Sequence, residues 1–190
     1  KQKERDAAVP SRLFVYYNTR AIEHTVDSDS GGQIRDSVKS VVKRGVCDER
    51  NWPYDIEKFR KKAPRECYVE GRKNQAIRYM RLTQALSQLK GCLAEGFPFV
   101  FGFAVYESFE SAEVAKNGHA PLPKAHEAFL GGHAVLAVGY DEAKQCFIVR
   151  NSWGKGWGMR GYFTMPYPYL LQPSLAADFW TIRSVEGAKR

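Results

Sequence analysis

The chain has 190 residues, of which 44% are hydrophobic and 26% charged, and this composition excludes intrinsic disorder and a collagen-like structure. Its longest apolar stretch, residues 97–106, is about half the length of a membrane-spanning helix, so no membrane partner is expected. The net charge of +8 comes from basic residues spread along the chain. Because no nucleic-acid-binding motif accompanies this charge, no nucleic-acid partner is expected either.

Two amphipathic helices are predicted in the first quarter of the chain. Pro10 and Ser11 are typical of a helix start. Apolar residues then follow on one helical face, at Leu13, Phe14, Tyr17 and Ile22. The second helix is predicted over residues 31–44 and ends at Gly45. Its apolar face consists of Ile34, Val38, Val41 and Val42.

A surface connection and a third helix complete the predicted helical half. Residues 47–68 contain prolines and a run of basic side chains, which favour a long loop. The third helix is predicted over residues 84–95, capped by Thr83 and ended by Gly96. Its inward face consists of Leu86, Leu89 and Leu93.

From residue 97 onward, short apolar runs separated by turn residues predict strands. They span residues 99–106, 133–140, 146–151, 162–165 and 179–183. Residues 107–130 are predicted as a loop or a surface hairpin. Helices followed by strands favour an α+β protein with a helical lobe at 1–96, a β-rich lobe at 97–190 and a site in the cleft between the lobes.

Four cysteines are widely separated, which excludes a CxxC redox motif and a zinc-ribbon spacing, so no metal site is expected. They are Cys47, Cys67, Cys92 and Cys146. Two disulfides in an oxidising compartment and four buried thiols both fit this even count. The cellular compartment therefore stays open.

The most informative segments read GGHAVLAVGY at residues 131–140 and VRNSWG at residues 149–154. Two glycines before His133 predict a close backbone approach and an imidazole at the open end of a strand. A hairpin would bring Asn151 beside His133, where its amide oxygen can accept an imidazole N–H. Trp153 can then cover this pair and exclude water. A structural histidine, a turn asparagine and a core tryptophan are the alternatives.

These two segments resemble the His and Asn segments of papain-like cysteine peptidases. The order of other features is also similar: a Gly-Gly pair at residues 31–32, a helix, a glycine at 45 and an aromatic-Pro-Tyr run at 52–54. The resemblance implies a papain-like two-lobe fold with a helical first lobe and an antiparallel, barrel-like β lobe. It also implies hydrolysis of peptide bonds through a thioester, without a metal or organic cofactor, on a peptide or protein substrate.

The resemblance assigns roles to residues of the β lobe. It implies that His133 is a general base paired with a thiol, that Asn151 orients it, and that Trp153 shields the pair. Trp157 is placed either on the leaving-group side or in a structural role.

The resemblance also identifies substrate-binding residues, which are Gly32, Ile34, Gly102, Ala134 and Trp153. It implies that Gly32 presents backbone N–H and C=O groups to an extended substrate. Ile34, Gly102 and Ala134 resemble the residues that line the pocket for the second residue before the scissile bond. Since two of these three residues are very small, the pocket is expected to be roomy and apolar and to accept a bulky hydrophobic side chain.

The nucleophilic cysteine of this family is missing from the expected position. It precedes the histidine by about 130 to 150 residues, which leads back from His133 to about residue 3 or earlier, where the chain has no cysteine. The four cysteines present lie elsewhere in the pattern: Cys47 follows the second helix, Cys67 lies in the surface connection, Cys146 begins a strand, and Cys92 lies on a helix where a buried thiol is inert. We therefore expect the nucleophile upstream of Lys1, with residues 1–5 as the tail of its helix. The chain alone is then expected to be inactive.

Two other functions are compatible with the sequence. One is a non-catalytic papain-fold protein that binds peptides or a regulator. The other is a transferase or amidase with the same Cys-His-Asn chemistry, although the NSWGKGWG run at 151–158 argues against it. Residues 27–30 read DSDS, where many secreted relatives place a disulfide cysteine, which argues against a heavily disulfide-bonded form. The choice between endo- and exopeptidase action, the natural substrate and a propeptide stay open.

Overall fold

A computed structural model describes residues 9–186 of the chain. The contacts divide the described residues into two units, one formed by residues 9–79 together with 183–186, the other by Met80–Ile182. The predicted helix tail at residues 1–5 lies outside the described residues, and the predicted lobes at 1–96 and 97–190 stay a prediction. No helix within residues 9–186 is both long and apolar enough to cross a membrane.

Helices α1 (Arg12–Glu23) and α2 (Ile34–Arg44) confirm the first two predicted helices. Ser11 caps α1, because its hydroxyl accepts a hydrogen bond from the Phe14 N–H at 3.1 Å. Gly45 ends α2 with a φ of 67°, a backbone conformation that favours glycine. Helix α2 begins three residues later than predicted, since the Gly-Gly pair precedes it without joining it.

The predicted loop over residues 47–68 is partly wrong. It contains a short 3-10 turn at Ile56–Lys58, and helix α3 (Arg65–Gly71) begins before the loop was expected to end. Pro64 immediately precedes α3, a position where the missing proline N–H has no cost, so this proline marks a helix start and not a break. Strand β1 (Ala76–Arg81) was not predicted, because all of its side chains except Ala76 are exposed and show no apolar alternation.

The strands of the second half confirm the α+β class. They are β2 (Phe99–Tyr106), β3 (Phe129–Asp141), β4 (Cys146–Arg150), β5 (Tyr162–Pro166) and β6 (Ala176–Val185). The sheet has the order β1-β6-β2-β3-β4-β5, and β2 to β6 pair antiparallel with their neighbours in this order. Each of the five predicted strands is present, with bounds shifted by a few residues.

Three further helices accompany these strands. Helix α4 (Leu86–Ala94) confirms the third predicted helix, but Ala85 and not Thr83 precedes it, and no side chain caps it. Helices α5 (Ala112–Asn117) and α6 (Tyr167–Leu171) were not predicted. Each is only one or two turns long, and segments of this length carry too little periodicity to be recognised.

An aromatic core fills the Met80–Ile182 unit. Strand β2 alternates buried and half-buried residues, so that Phe99, Phe101 and Phe103 all point to one face. Phe147 from β4 and Phe163 from β5 are fully buried in the same cluster. This core lies directly beneath the strands that carry the histidine and asparagine segments, so those strands rest on closely packed rings.

Candidate functional site

Strands β2, β3 and β4 position the residues of the candidate site. His133 on β3 is paired with Phe103 on β2, and β4 returns antiparallel beside β3 until Arg150. The tight turn between β3 and β4 is closed by a hydrogen bond from the Lys144 N–H to the Asp141 carboxylate at 3.1 Å. The predicted hairpin is therefore present, and Asn151 follows the last residue of β4.

His133 and Asn151 are joined by a hydrogen bond of 2.9 Å between the imidazole Nε2 and the amide Oδ1. The same Oδ1 accepts the Ser152 backbone N–H at 2.8 Å, which fixes the orientation of the amide group because an NH₂ cannot accept. Nε2 must then carry the proton, and in the neutral ring Nδ1 is the acceptor. The arrangement leaves Nδ1 as the atom of His133 that can take a proton from a nucleophile.

Two aromatic rings contact the imidazole of His133. The Trp153 indole stacks on the His133 ring with centroids 5.0 Å apart and planes 22° apart, and Phe103 meets the same ring edge-on at 5.8 Å. Asn151 is 8% exposed, whereas Trp153 is 41% exposed. An indole with that exposure lies at the protein surface against the imidazole, which argues against the core alternative, and the role of Trp153 as a cover over the pair stays a prediction.

Phe109 supports the indole from below, and sequence reasoning did not identify it. Its ring lies 5.7 Å from the Trp153 ring and 5.7 Å from the Trp157 ring. It also contacts Phe103 at 4.9 Å and Phe163 at 5.2 Å. Phe109 lies in the segment predicted as a loop or hairpin, where no periodic pattern marks a buried ring. Its role depends on tertiary contacts that the local sequence does not encode.

The predicted role of the glycines before His133 is wrong. A Cβ at Gly131 or Gly132 would meet no atom within 4 Å, so neither glycine allows a close approach. His133 also does not open its strand, since β3 already begins at Phe129. Glycine is favoured at position 131 because the backbone there has a φ of 149°, which residues with a side chain rarely adopt. This position lies beside a shift in the β2–β3 register.

The predicted pocket residues fall into two groups. Gly102 and Ala134 are direct partners in the β2–β3 pair, next to the Phe103–His133 pair, and Ala134 is exposed. Gly32 and Ile34 belong to the other unit, where Gly32 is exposed and Ile34 is the first residue of α2. The substrate-binding roles of these four residues stay predictions.

All four cysteines are free and buried, which favours the thiol alternative over two disulfides. Burial raises the pKa of the Cys47 thiol to about 12, with a further contribution from a hydrogen bond to Cys67. Burial also raises the pKa of Cys146. Cys92 donates to the Phe97 carbonyl at 3.3 Å. A nucleophile requires an accessible thiolate, and these thiols are buried.

We expect the four thiols to resist modification in the folded chain. Ellman's reagent at pH 8 should react at least about 100-fold more slowly with the native chain than with the chain in guanidinium, because burial keeps the reagent away from all four thiols. The absorbance at 412 nm measures both rates. One fast thiol in the native chain would make that cysteine a candidate nucleophile and would contradict its inert role.

Within residues 9–186, no group of three His, Cys, Asp or Glu side chains is arranged to hold a metal ion.

Comparisons with known proteins show which family this chain resembles. The model of the papain family of cysteine proteases matches residues 22–169. Xylellain, a cysteine protease from Xylella fastidiosa, is 43% identical, with a TM-score of 0.88 over 96% of this chain and 73% of that chain. The bromelain protease from Ananas comosus is 18% identical, with a TM-score of 0.60 over 94% of this chain and 79% of its own, and shares the fold.

Curated relatives extend the same likeness. An uncharacterised peptidase C1-like protein of Acanthamoeba polyphaga mimivirus is 48% identical over 193 residues, which cover 97% of this chain and 62% of that protein. Cysteine proteinase 1 of Entamoeba histolytica is 27% identical over 148 residues, which cover 72% of this chain and 42% of that protein. The chain therefore spans less than two thirds of the length of these two relatives. By the family match and the likeness to xylellain, the chain belongs to the papain family of cysteine proteases.

Proposed function

We propose that this chain is the larger part of a peptidase that cleaves peptide bonds with a Cys-His pair oriented by Asn151. The observation that supports it most is the 2.9 Å hydrogen bond between His133 and Asn151 under the stacked Trp153 ring. A histidine with one nitrogen held by an amide oxygen and the other available is suited to act as a base and then as an acid.

In the proposed mechanism, Nδ1 of His133 takes the proton of the cysteine thiol. The thiolate attacks the substrate carbonyl carbon, and the imidazolium then gives its proton to the leaving amine as the C–N bond breaks. Water, deprotonated by the same nitrogen, hydrolyses the resulting thioester and releases the thiol. Throughout this cycle the Asn151 oxygen accepts a hydrogen bond from the Nε2–H group. The ring therefore keeps its orientation while its charge changes.

We place the nucleophile on a segment upstream of Lys1. The burial of all four cysteines supports this placement, because none offers an accessible thiolate. The complete enzyme is then this chain together with the segment that carries the nucleophile, and this chain alone is inactive.

The proposed substrate is a peptide or protein bound in extended form, and a propeptide can occupy the same residues. Gly32 is proposed to bind its main chain. Ile34, Gly102 and Ala134 are proposed to receive an apolar side chain, and the small size of Gly102 and Ala134 supports a preference for a bulky one.

The nucleophile can be located by labelling the protein isolated from its natural source with a peptidyl fluoromethyl ketone. We expect intact-mass and N-terminal sequence data, taken under denaturing conditions with and without reductant, to show a longer or companion chain. The label should lie on a cysteine upstream of Lys1, since only an activated thiolate reacts with this reagent.

The control is the same labelling of a recombinant chain that starts at Lys1, which should stay unlabelled. A natural protein that starts at Lys1 and takes no label would contradict the peptidase proposal and favour a non-catalytic binding protein. A label on one of the four cysteines of this chain would contradict the upstream placement.

A further inference from the structure

The segment between α1 and α2, residues 24–33, has neither helix nor strand, and residues 27–33 are exposed. A polar segment with two glycines near its end is expected to sample many conformations unless other parts of the chain hold it. Its contacts with α1 therefore determine the shape that it keeps.

Arg20 of α1 forms the most deeply buried of these contacts. Its side chain is fully buried, and its Nη1 donates to the carbonyl oxygens of Val26 and Ser28, each at 2.9 Å. Its Nη2 donates to the Phe59 carbonyl, and the guanidinium lies 4.0 Å from the centre of the Tyr16 ring. Because the guanidinium is planar and its donors are fixed in direction, it fixes the positions of the carbonyls that it binds.

Tyr16 and Glu23 hold the end of the segment that leads into α2. The Tyr16 hydroxyl donates to the Asp29 carboxylate and accepts the Gly31 N–H at 3.2 Å. The Glu23 carboxylate accepts the Gln33 N–H at 2.7 Å. Positions 16, 20 and 23 lie on one face of α1 because they follow the i, i+4, i+7 spacing of a helix.

The glycine pair brings the backbone directly against this face of α1. A Cβ at Gly32 would lie 2.8 Å from the Thr19 Cγ2, so a side chain there would push the segment away from the helix. Thr19 is itself held by hydrogen bonds to the Val15 carbonyl at 2.8 Å and to the Ser37 hydroxyl at 3.1 Å. Gly31 has a φ of 74°, which favours glycine for a second reason.

We propose that Tyr16, Arg20 and Glu23 are positioning residues that hold Gly32 in the conformation in which it binds the main chain of the substrate. This inference rests on the role of Gly32 in the proposed function. Backbone recognition needs an N–H and a C=O in fixed directions, and a segment that is already ordered loses less entropy when the substrate binds. The hydrogen bonds from Tyr16, Arg20 and Glu23 hold this segment against α1.

The test compares Tyr16→Phe with Tyr17→Phe in the complete enzyme. Both variants remove one hydroxyl from α1, but only Tyr16 contacts the segment. We expect Tyr16→Phe to raise the KM for an extended peptide and the exchange rate of the Gly31 amide by about three- to tenfold, because it removes the two exposed hydrogen bonds to Asp29 and Gly31. We expect kcat for this peptide to stay unchanged, and likewise the KM of a single-residue arylamide, which does not reach Gly32. Tyr17→Phe should change neither quantity.

Glu23 offers an independent pair of variants. Glu23→Ala removes the acceptor of the Gln33 N–H and should raise the peptide KM, whereas Glu23→Gln keeps an acceptor oxygen and should restore the original value. Recovery of the peptide KM in Glu23→Gln would show that the acceptor oxygen positions the segment. If the loss of the carboxylate destabilised the protein in general, both variants would raise the KM.

The outcomes separate this inference from the proposed function. Unchanged amide exchange in Tyr16→Phe and Glu23→Ala would overturn it, and so would faster exchange with an unchanged peptide KM. An unaltered enzyme that cleaves neither substrate would overturn the proposed peptidase function and, with it, the role of the segment in substrate binding.

Discussion

Replacing His133 by alanine is expected to lower kcat/KM of the complete enzyme by about 10³-fold or more, because proton transfer by a positioned base contributes this much. The loss should appear mainly in kcat, since the imidazole acts on the reacting atoms and not on the bound peptide. Asn151→Ala should cause a smaller loss, because the base remains but its ring is no longer held. Steady-state kinetics on a fluorogenic peptide measure both effects.

His119→Ala is the matched control for this prediction. His119 lies in the same unit, is exposed, and has a hydrogen-bonded ring, whose Nδ1 is 2.9 Å from the Thr164 hydroxyl. Its replacement should leave kcat/KM unchanged. We also expect the double variant His133→Ala/Asn151→Ala to melt within about 4 °C of the unaltered protein, because removing both partners of their hydrogen bond leaves neither of them unpaired.

Two results would contradict this assignment. Retained activity in His133→Ala would exclude the residue as the base. A large fall in the melting temperature of the double variant would favour structural roles for His133 and Asn151.

The sequence predicts the His133–Asn151 pair because both residues are placed by short-range structure. Strands β3 and β4 show clear apolar patterns, and the turn between them is short. A hairpin of known length fixes which residues lie side by side, so the pairing follows from local sequence. The strands β2 and β5 are also predicted because their own residues show a clear apolar pattern.

The features that the sequence does not predict depend on contacts between distant residues. In α1, the polar side chains of Asn18, Thr19 and Arg20 are buried, whereas Tyr17 and Ile22 are only half-buried. The spacing of apolar residues cannot indicate this face of the helix, because the buried side chains on it are polar and form hydrogen bonds. The sequence likewise shows two glycines at 31 and 32, but it does not show that Gly32 is needed because the backbone there lies against Thr19 of α1.

The candidate site also depends on rings that come together only in the folded chain. Phe103 is predicted as part of a strand, yet nothing in its strand pattern indicates that it touches an imidazole. Phe109 belongs to residues 107–130, for which the sequence predicts a loop or a surface hairpin and no buried ring. Side-chain contacts across a sheet are set by register and packing, so they are not encoded in any single segment.

Replacing Phe109 by alanine is expected to destabilise the protein by about 3–5 kcal/mol, the usual cost of removing a buried aromatic ring. Phe109 is 1% exposed and touches the rings of Trp153 and Trp157, so the cavity would open beneath the indole that covers His133. Thermal unfolding measures the loss of stability.

Phe109→Leu separates the role of this ring in catalysis from its role in stability. Leucine keeps an apolar side chain at the position, so the cost should fall below about 1.5 kcal/mol while the contact with the Trp153 ring is lost. We expect kcat to decrease as Trp153 gains freedom to leave the His133 ring and water reaches the Asn151 hydrogen bond.

Phe147→Leu is the control for this comparison. Phe147 is also buried in the core, but its ring contacts are with Phe99 and Tyr167 and not with the rings around His133. Both leucine variants should therefore lose similar stability, while only Phe109→Leu loses activity. Equal activities would show that Trp153 keeps its place without Phe109. The position of Trp153 over the imidazole would then depend on its stacking on His133 and on its edge-on contact with Trp157 alone.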